Sequence, residues 1–430
     1  MLMQYLLNEK DLIVAKAIAY YRDLRLNNYV FAGTGTDVCE DGSVTRLLFD
    51  DQYRRCAEET KKYMEEAGLT TWYDSCMNLH GVYECGKPSA KTVYLGSHLD
   101  TVKQGGLYDG MIGVVGAVEA FRHLKTHADE LNINIHVLGT NGEEGNILGG
   151  TFGSRAMVGL VDPDVPGYLE KAAAYGLTRE DFDSVKLPMD DALCYLELHI
   201  EQGNSLEQTG EDLGIVTGIV GLQRYAFTVH GESNHAGTTM MEYRKDALVG
   251  ASKLIVGFDR MAREYGNQMV ATVGAISVSP GAITVIPEQA EMVLEIRNLS
   301  EECLNRFADE AAQMAAELPD VTVSIVPQVK KAPVQCSEEL QDFMEKICVK
   351  HSYSYRRMPS GATHDGNSMA VKMPIGMIFM PSRDGLSHCK GEFTDWNYVE
   401  KESGSLCSSG VFVPKPDVTT PVSAGVSGCS

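Results

Sequence analysis

Four polar clusters in the chain carry residue types that can do chemistry together. The first is Gly96-Ser97-His98-Leu99-Asp100-Thr101, running on to Gly105-Gly106-Leu107-Tyr108-Asp109-Gly110. The second is Gly139-Thr140-Asn141-Gly142-Glu143-Glu144-Gly145, and the third is His199-Ile200-Glu201-Gln202-Gly203. A late Gly385-Leu386-Ser387-His388 adds one more imidazole. Imidazole and carboxylate together suit zinc and similar divalent cations. His98, His199 and His388, with Asp109, Glu143 and Glu144, could hold two ions about 3.5–4 Å apart that share one carboxylate. Such a pair brings the pKa of a bound water to about 7 and polarises a carbonyl. Neighbours in an extended chain point to opposite sides, so one of Glu143 and Glu144 can bind metal while the other faces the water as a general base. Taken singly, each residue has an ordinary alternative. A histidine at a strand end is usually only hydrogen-bonded, and a glutamate pair in a loop is usually a solvated face. The joint occurrence favours the metal.

Three of the clusters follow apolar runs that read as strands, at residues 92–95, 133–138 and 194–198. Ligands of open α/β sheets bind outside the carboxyl ends of strands, so these ends are expected to converge on one side of a sheet. Residues 113–124 have small and apolar side chains at helical spacing, and 50–68 read as an amphipathic helix with a glycine stop. From about Gly214 the pattern changes. A strand at 223–229, a helix at 246–263, strands at 269–278 and 291–297, a helix at 301–317 and a strand at 321–326 give the order βαββαβ. That order is the ferredoxin-like arrangement, read here as a compact domain inserted into the first. A helix at 340–350 and an apolar strand at 373–380 then resume the outer domain. The expected fold is therefore α/β: a catalytic domain with a central mixed sheet flanked by helices, from residues 1–213 and 328–430, and the insert from 214–327. Leu12, Ala15, Ile18 and Ala19 give a helical pattern near the start. Residues 403–430 are rich in Ser, Gly, Val and Pro without helical period, and are expected to be poorly ordered.

A chain of 430 residues with 44% apolar and 22% charged residues has the composition of a globular protein large enough for two domains. Its net charge of −22, with no basic cluster, argues against nucleic acid or an anionic membrane as partner. Glu9, Lys10, Asp11, Lys16 and Arg22 interrupt the first apolar stretch, so neither a signal-peptide core nor a membrane span is read there. Eleven cysteines without a C-x-x-C pair read as free thiols in a reducing compartment, with the cytoplasm the expected location.

The motifs resemble the amidase branch of the M20 metallopeptidase-like family, which holds N-carbamoyl-L-amino-acid hydrolases, β-ureidopropionases and allantoate amidohydrolases. The likeness rests on GSHLDT with GGLYDG, the Glu143-Glu144 pair, LELHIEQG at 196–203, GESNHAGTT at 231–239 and SGATHD at 360–365, in family order over residues 44–394. The resemblance implies that His98, Asp109 and His199 bind one metal and that Asp109, Glu144 and His388 bind a second, the ions being zinc, manganese, cobalt or nickel. It implies Glu143 as general base and Asp100 as the acid that orients His98. Gln202, Gly361 and His364 would contact substrate. Arg297 would bind its carboxylate beside Thr284, which stands where the family usually has Asn. His235 would reach the active site of a partner subunit and steady the oxyanion. The resemblance further implies a homodimer through an inserted lid domain. His199, where peptidases of the wider family place an acid, favours a small ureido or carbamoyl carboxylate over a peptide.

Overall fold

Four parallel strands at the centre of one large sheet carry the clusters picked out above. The computed structural model describes residues 42–394 apart from 127, 129, 130 and 267. The expected helix around Leu12–Ala19 and the Ser/Gly/Pro tail at 403–430 lie outside the described residues. In chain order the strands are β1 (Thr70–Tyr73), β2 (Leu79–Tyr83), β3 (Lys91–His98), β4 (Ile133–Thr140), β5 (Ala192–Ile200), β6 (Leu213–Ile219), β7 (Gly221–His230) and β8 (Asn234–His235). They continue as β9 (Val270–Ser279), β10 (Val285–Ile286), β11 (Gln289–Asn298), β12 (Thr322–Lys331), β13 (Val334–Gln335), β14 (Tyr355–Ser360) and β15 (Ile375–Met380).

The large sheet runs β1-β2-β4-β3-β5-β15-β6-β13, with β14 also paired to β6. β4, β3, β5 and β15 are parallel to one another, whereas β1, β2 and β6 join antiparallel, so the sheet is mixed. Its central strands are apolar on both faces because both faces are covered. Val93 and Leu95 face a core with Val118, Phe121 and Ile135, while Tyr94 between them faces a second core with Phe152 and Tyr195. The helix Met111–Lys125 lies against the first face. It sits so close that a Cβ on Gly113 would come within 2.3 Å of the Leu198 carbonyl oxygen. The neighbouring helix Asp51–Ala67 has the expected glycine stop, Gly68 at φ 95°, and starts where the Asp50 carboxylate accepts the Tyr53 N–H.

A second, four-stranded antiparallel sheet has the order β12-β7-β11-β9. The helices Ala247–Tyr265 and Glu301–Ala316 pack on one of its faces around Phe227, Leu254, Phe258, Leu294, Ile296 and Phe307. Its elements follow in the order strand, helix, two strands, helix, strand. The short pair β8–β10 sets His235 opposite Val285 at the far end of this unit.

The crossing between the sheets differs from the expected positions at 214 and 327. β6 belongs to the large sheet, paired with β15, β14 and β13, and β12 continues to Lys331. The chain crosses at Val220–Gly221 and returns at Ala332–Pro333, where a Cβ on Gly221 would lie 2.7 Å from the Pro333 ring. Apolar residues run on from β6 into β7, so composition does not mark the crossing.

Candidate metal centre

His98 is the last residue of β3, and His199 the last but one of β5. The Glu143-Glu144 loop follows β4, and His388 follows β15. These four strands are adjacent and parallel, so their carboxyl ends deliver all of these residues to one edge. Asp109 enters from the loop between β3 and the helix Met111–Lys125. That loop lies flat on the His98 ring because Gly110 has φ +66° and no side chain; a Cβ there would stand 2.4 Å from Nδ1.

Asp109 divides its two oxygens. Oδ1 lies 3.0 Å from His199 Nε2 and 3.5 Å from His98 Nε2, while Oδ2 lies 3.2 Å from His388 Nε2. Glu144 Oε1 is 3.4 Å from His388 Nε2, and Glu143 Oε2 is 3.9 Å from His98 Nε2. Two ligand groups result, His98–Asp109–His199 and Asp109–Glu144–His388, each with its ligand atoms within 4.8 Å of one another.

Both deep rings are fixed from behind. His98 Nδ1 is 3.0 Å from the Asp100 carbonyl oxygen, and His199 Nδ1 is 2.9 Å from the Ile200 carbonyl oxygen. A carbonyl can only accept, so each Nδ1 donates, which leaves Nε2 as the atom that can give a lone pair to a cation. Buried Asp109 Oδ1 and His199 Nε2 make no hydrogen bond despite their 3.0 Å separation. Atoms this close yet misaligned for each other are what ligands converging on a third atom look like, so the residues fit a cation.

The electrostatics agree. Burial pulls the His98 imidazole down, but Asp109, Glu143 and Asp100 outweigh it and hold it well above its ordinary pKa. His199 is raised in the same way, against its burial, by Asp109. His388 is raised chiefly by Asp109 and also by Glu144. Burial works to raise Asp109, yet His199, His388 and His98 drive it well below the usual carboxylate range. Burial also raises Glu143 well above its ordinary value and Glu144 to about 7. The cluster draws in positive charge, and a glutamate held high is suited to taking a proton near neutral pH.

Asp100 does more than stand behind His98. Its carboxylate is 3.7 Å from His98 Nδ1 but accepts three backbone N–H groups, Gly142 at 2.9 Å, Glu143 at 3.0 Å and Glu144 at 3.1 Å. It therefore positions the glutamate loop, and its backbone carbonyl orients the ring.

Gln202 donates to Asp109 Oδ2 at 2.8 Å and, like His388, sits at φ 57°. Left-handed backbone at two non-glycine residues marks a loop held by its surroundings. Gly361 accepts from Arg297 Nη1 at 2.6 Å. His364 is 1% exposed, with its ring 4.4 Å from that of His199 and its Nε2 2.7 Å from Ser360 Oγ. It supports His199 from below and is absent from the cavity wall, where Ala362 and Thr363 stand. His235 and Thr284 are exposed at the β8–β10 ribbon and line neither of the cavities at the cluster, with the Thr284 carbonyl accepting the Ala236 N–H.

The cavity over the cluster measures about 300 Å³ and is lined by the ligand residues with Glu143, Gln202, Arg297 and Lys331. A second cavity of about 490 Å³ adjoins it through Gln202, Arg297 and Ala362 and includes Met358, Pro359 and Phe379. Two contributors carry no sequence signal. Glu392 accepts the N–H groups of Tyr108 and Asp109 at 2.9 and 3.0 Å and so fixes the bridging residue from nearly 300 positions away. Lys331 reaches the cavity only because the small sheet faces it.

No helix among the described residues is long and apolar enough to cross a membrane. The family model described as "Peptidase family M20/M25/M40" matches residues 94–407. The chain is 39% identical over 368 residues to the N-carbamoyl-L-amino acid amidohydrolase of Geobacillus stearothermophilus, covering 82% of this chain and 89% of that one. It is 32% identical over 367 residues to the allantoate amidohydrolase of Escherichia coli K12, again covering 82% and 89%. Among solved structures, an amidase of the hydantoinase/carbamoylase family from Burkholderia multivorans superposes with a TM-score of 0.77 at 27% identity, covering 87% of this chain and 94% of that one. The matching model spans most of the chain and includes all four clusters that build the centre, so this protein is a member of the M20/M25/M40 peptidase family.

Proposed function

We propose that this hydrolase of linear C–N bonds cleaves N-carbamoyl-L-amino acids to the amino acid, ammonia and carbon dioxide. The observation that carries the reading is one carboxylate, Asp109, shared by two ligand groups beneath a cavity, in a chain similar to carbamoyl-amino-acid amidohydrolases. His98, Asp109 and His199 would hold one divalent ion and Asp109, Glu144 and His388 a second; zinc, manganese, cobalt and nickel all suit such donors. When bound, the ions supply Lewis acidity and a nucleophilic water at neutral pH. Glu143 takes the proton of the attacking water and returns it to the departing nitrogen. Asp100 and Glu392 keep the glutamate loop and Asp109 in place through backbone N–H groups. The substrate carboxylate lies at the end of the cavity lined by Arg297, with the substrate side chain toward Met358 and Phe379 in the adjoining one. Gln202 and Gly361 border that path, and His364 acts on it only through His199.

The smaller sheet, residues 221–331, is read as a ferredoxin-like lid on a catalytic domain built from the rest. Its strand order β12-β7-β11-β9 supports this. The exposed ribbon with His235 and Thr284 is read as the part that enters the site of a second copy in a homodimer. Met240, Met241, Tyr243 and Ile283, all exposed around it, support that reading.

The test is ammonia release by metal-loaded protein from N-carbamoyl-L-amino acids, N-carbamoyl-β-alanine, allantoate and a dipeptide. Turnover of an N-carbamoyl-L-amino acid that stops with chelator is expected. Cleavage of the dipeptide alone would overturn the reading. Allantoate is the second reading, favoured by the likeness to the Escherichia coli enzyme, and would show as turnover of that compound alone.

A further inference from the structure

We propose that Lys331, and not Arg297 alone, recognises the anionic group of the substrate. The inference rests on the function proposed above and assigns a residue within the same cavity. It starts from the register of the small sheet. Leu222 on β7 pairs with Arg297 on β11 and with Lys331 on β12. Directly paired residues project from the same face of a sheet, so the two cations share the face turned away from the helices. Their neighbours bear this out. Gln223, Ile296 and Lys330 lie on the helix side, where Lys330 Nζ is 3.1 Å from Asn305 Oδ1 and 3.2 Å from Glu301 Oε1. Arg297 and Lys331 are separated by two strand spacings, about 10 Å at the backbone. Both line the cavity over His98, Asp109, Glu143 and His199.

The two are not equally free. The Arg297 guanidinium is committed on three nitrogens: Nε and Nη2 lie 2.8 and 2.7 Å from Glu295 Oε1, and Nη1 donates to the Gly361 carbonyl at 2.6 Å. Glu295 is held in turn by Arg224 Nε at 2.6 Å. A carboxylate reaching Arg297 must therefore displace an existing partner. The Lys331 ammonium has neither a hydrogen bond nor an ion pair among the described residues. It is nonetheless partly desolvated by the cavity walls, and this, with the charges of Arg155, Arg224 and Arg297, holds its pKa below that of an ordinary lysine against the pull of Glu143. In a chain of net charge −22, a cation sharing a cavity wall with Arg297 over an acidic cluster is placed for an incoming anion. The compact ammonium on its flexible stem supplies a point charge, which a carboxylate accepts without bidentate geometry.

The experiment compares N-carbamoyl-L-alanine with its carboxamide, which keeps the scissile group and lacks the charge. Lys331→Met is expected to lower the carboxylate-to-carboxamide ratio of kcat/KM about tenfold, as the loss of one charge-assisted contact at an open position does. The change should fall mainly in KM, with Lys331→Arg recovering part of it. A ratio within twofold of wild type in Lys331→Met would overturn the assignment. Calorimetric binding of N-carbamoyl-L-alanine to Glu143→Gln protein, with and without Lys331→Met, reads the same contact without turnover. Binding that depends on Lys331 in a protein whose wild type hydrolyses no ureido compound would sink the proposed reaction and keep this assignment. Turnover and binding that are both indifferent to Lys331 would do the reverse, and neither turnover nor binding would end both.

Discussion

The two ligand groups joined at Asp109 are built on different principles. His98, Asp109 and His199 are all buried, the two rings stand at the ends of adjacent central strands, and each is locked by a backbone carbonyl. Glu144 and His388 come from loops, and the His388 side chain is 48% exposed. Its placement rests on a loop in left-handed backbone and on contacts with Asp109, Glu144 and Gln202. The first group is preorganised by the sheet, whereas the second is assembled by loops that open to the cavity. An ion in the first should exchange slowly and hold the fold of the site, and an ion in the second should exchange readily.

The largest effect expected follows from the residue common to both groups. Asp109→Asn removes the only carboxylate among the described residues that touches all three imidazoles, so both ions should be lost and ammonia release should fall below about 10⁻³ of wild type. Metal analysis of the purified variant checks this; full metal content would contradict the shared role. His388→Ala should be smaller and one-sided. One ion per chain should remain, in the buried group, with activity down about 10- to 100-fold. Elemental analysis showing both ions lost would erase the distinction drawn between the groups.

The smallest effect expected is on pH. In the metal-free site the imidazoles of His98, His199 and His388 are raised, so each keeps its proton to higher pH than a free histidine, and metal must displace those protons. Glu144, with a pKa of about 7, must also ionise before it can bind. Affinity of both groups should therefore rise with pH through and above about 6.5, the ordinary imidazole value. Competition with a chelator at several pH values measures it; affinity falling as pH rises would reverse the sign.

Much of this site was readable before folding. Apolar β-branched runs ending in His98, Glu143 and His199 placed the polar clusters at strand ends, and buried parallel strands made those ends adjacent. What could not be read depends on distant pairing. Glu392 looks like any surface acid until the fold sets it against the Asp109 backbone. Lys331 and Lys330 are indistinguishable until β12 is given a register. The resemblance gave Asp100 to His98, whereas its carboxylate is taken mainly by the backbone of the glutamate loop. His364, expected at the substrate, lies under His199, because a strand end followed by a short helix turns it inward. The crossing at 220–221 was missed because apolar residues run on from β6 into β7 although the two lie in different sheets.

The central claim is that Glu143 moves the proton while His98, Asp109, His199, Glu144 and His388 hold the ions. It is tested most directly by measuring metal content and ammonia release from an N-carbamoyl-L-amino acid on the same preparation of Glu143→Gln. The account predicts metal content equal to wild type with release reduced by about 10²–10⁴-fold. Wild-type release from fully loaded Glu143→Gln protein would contradict it.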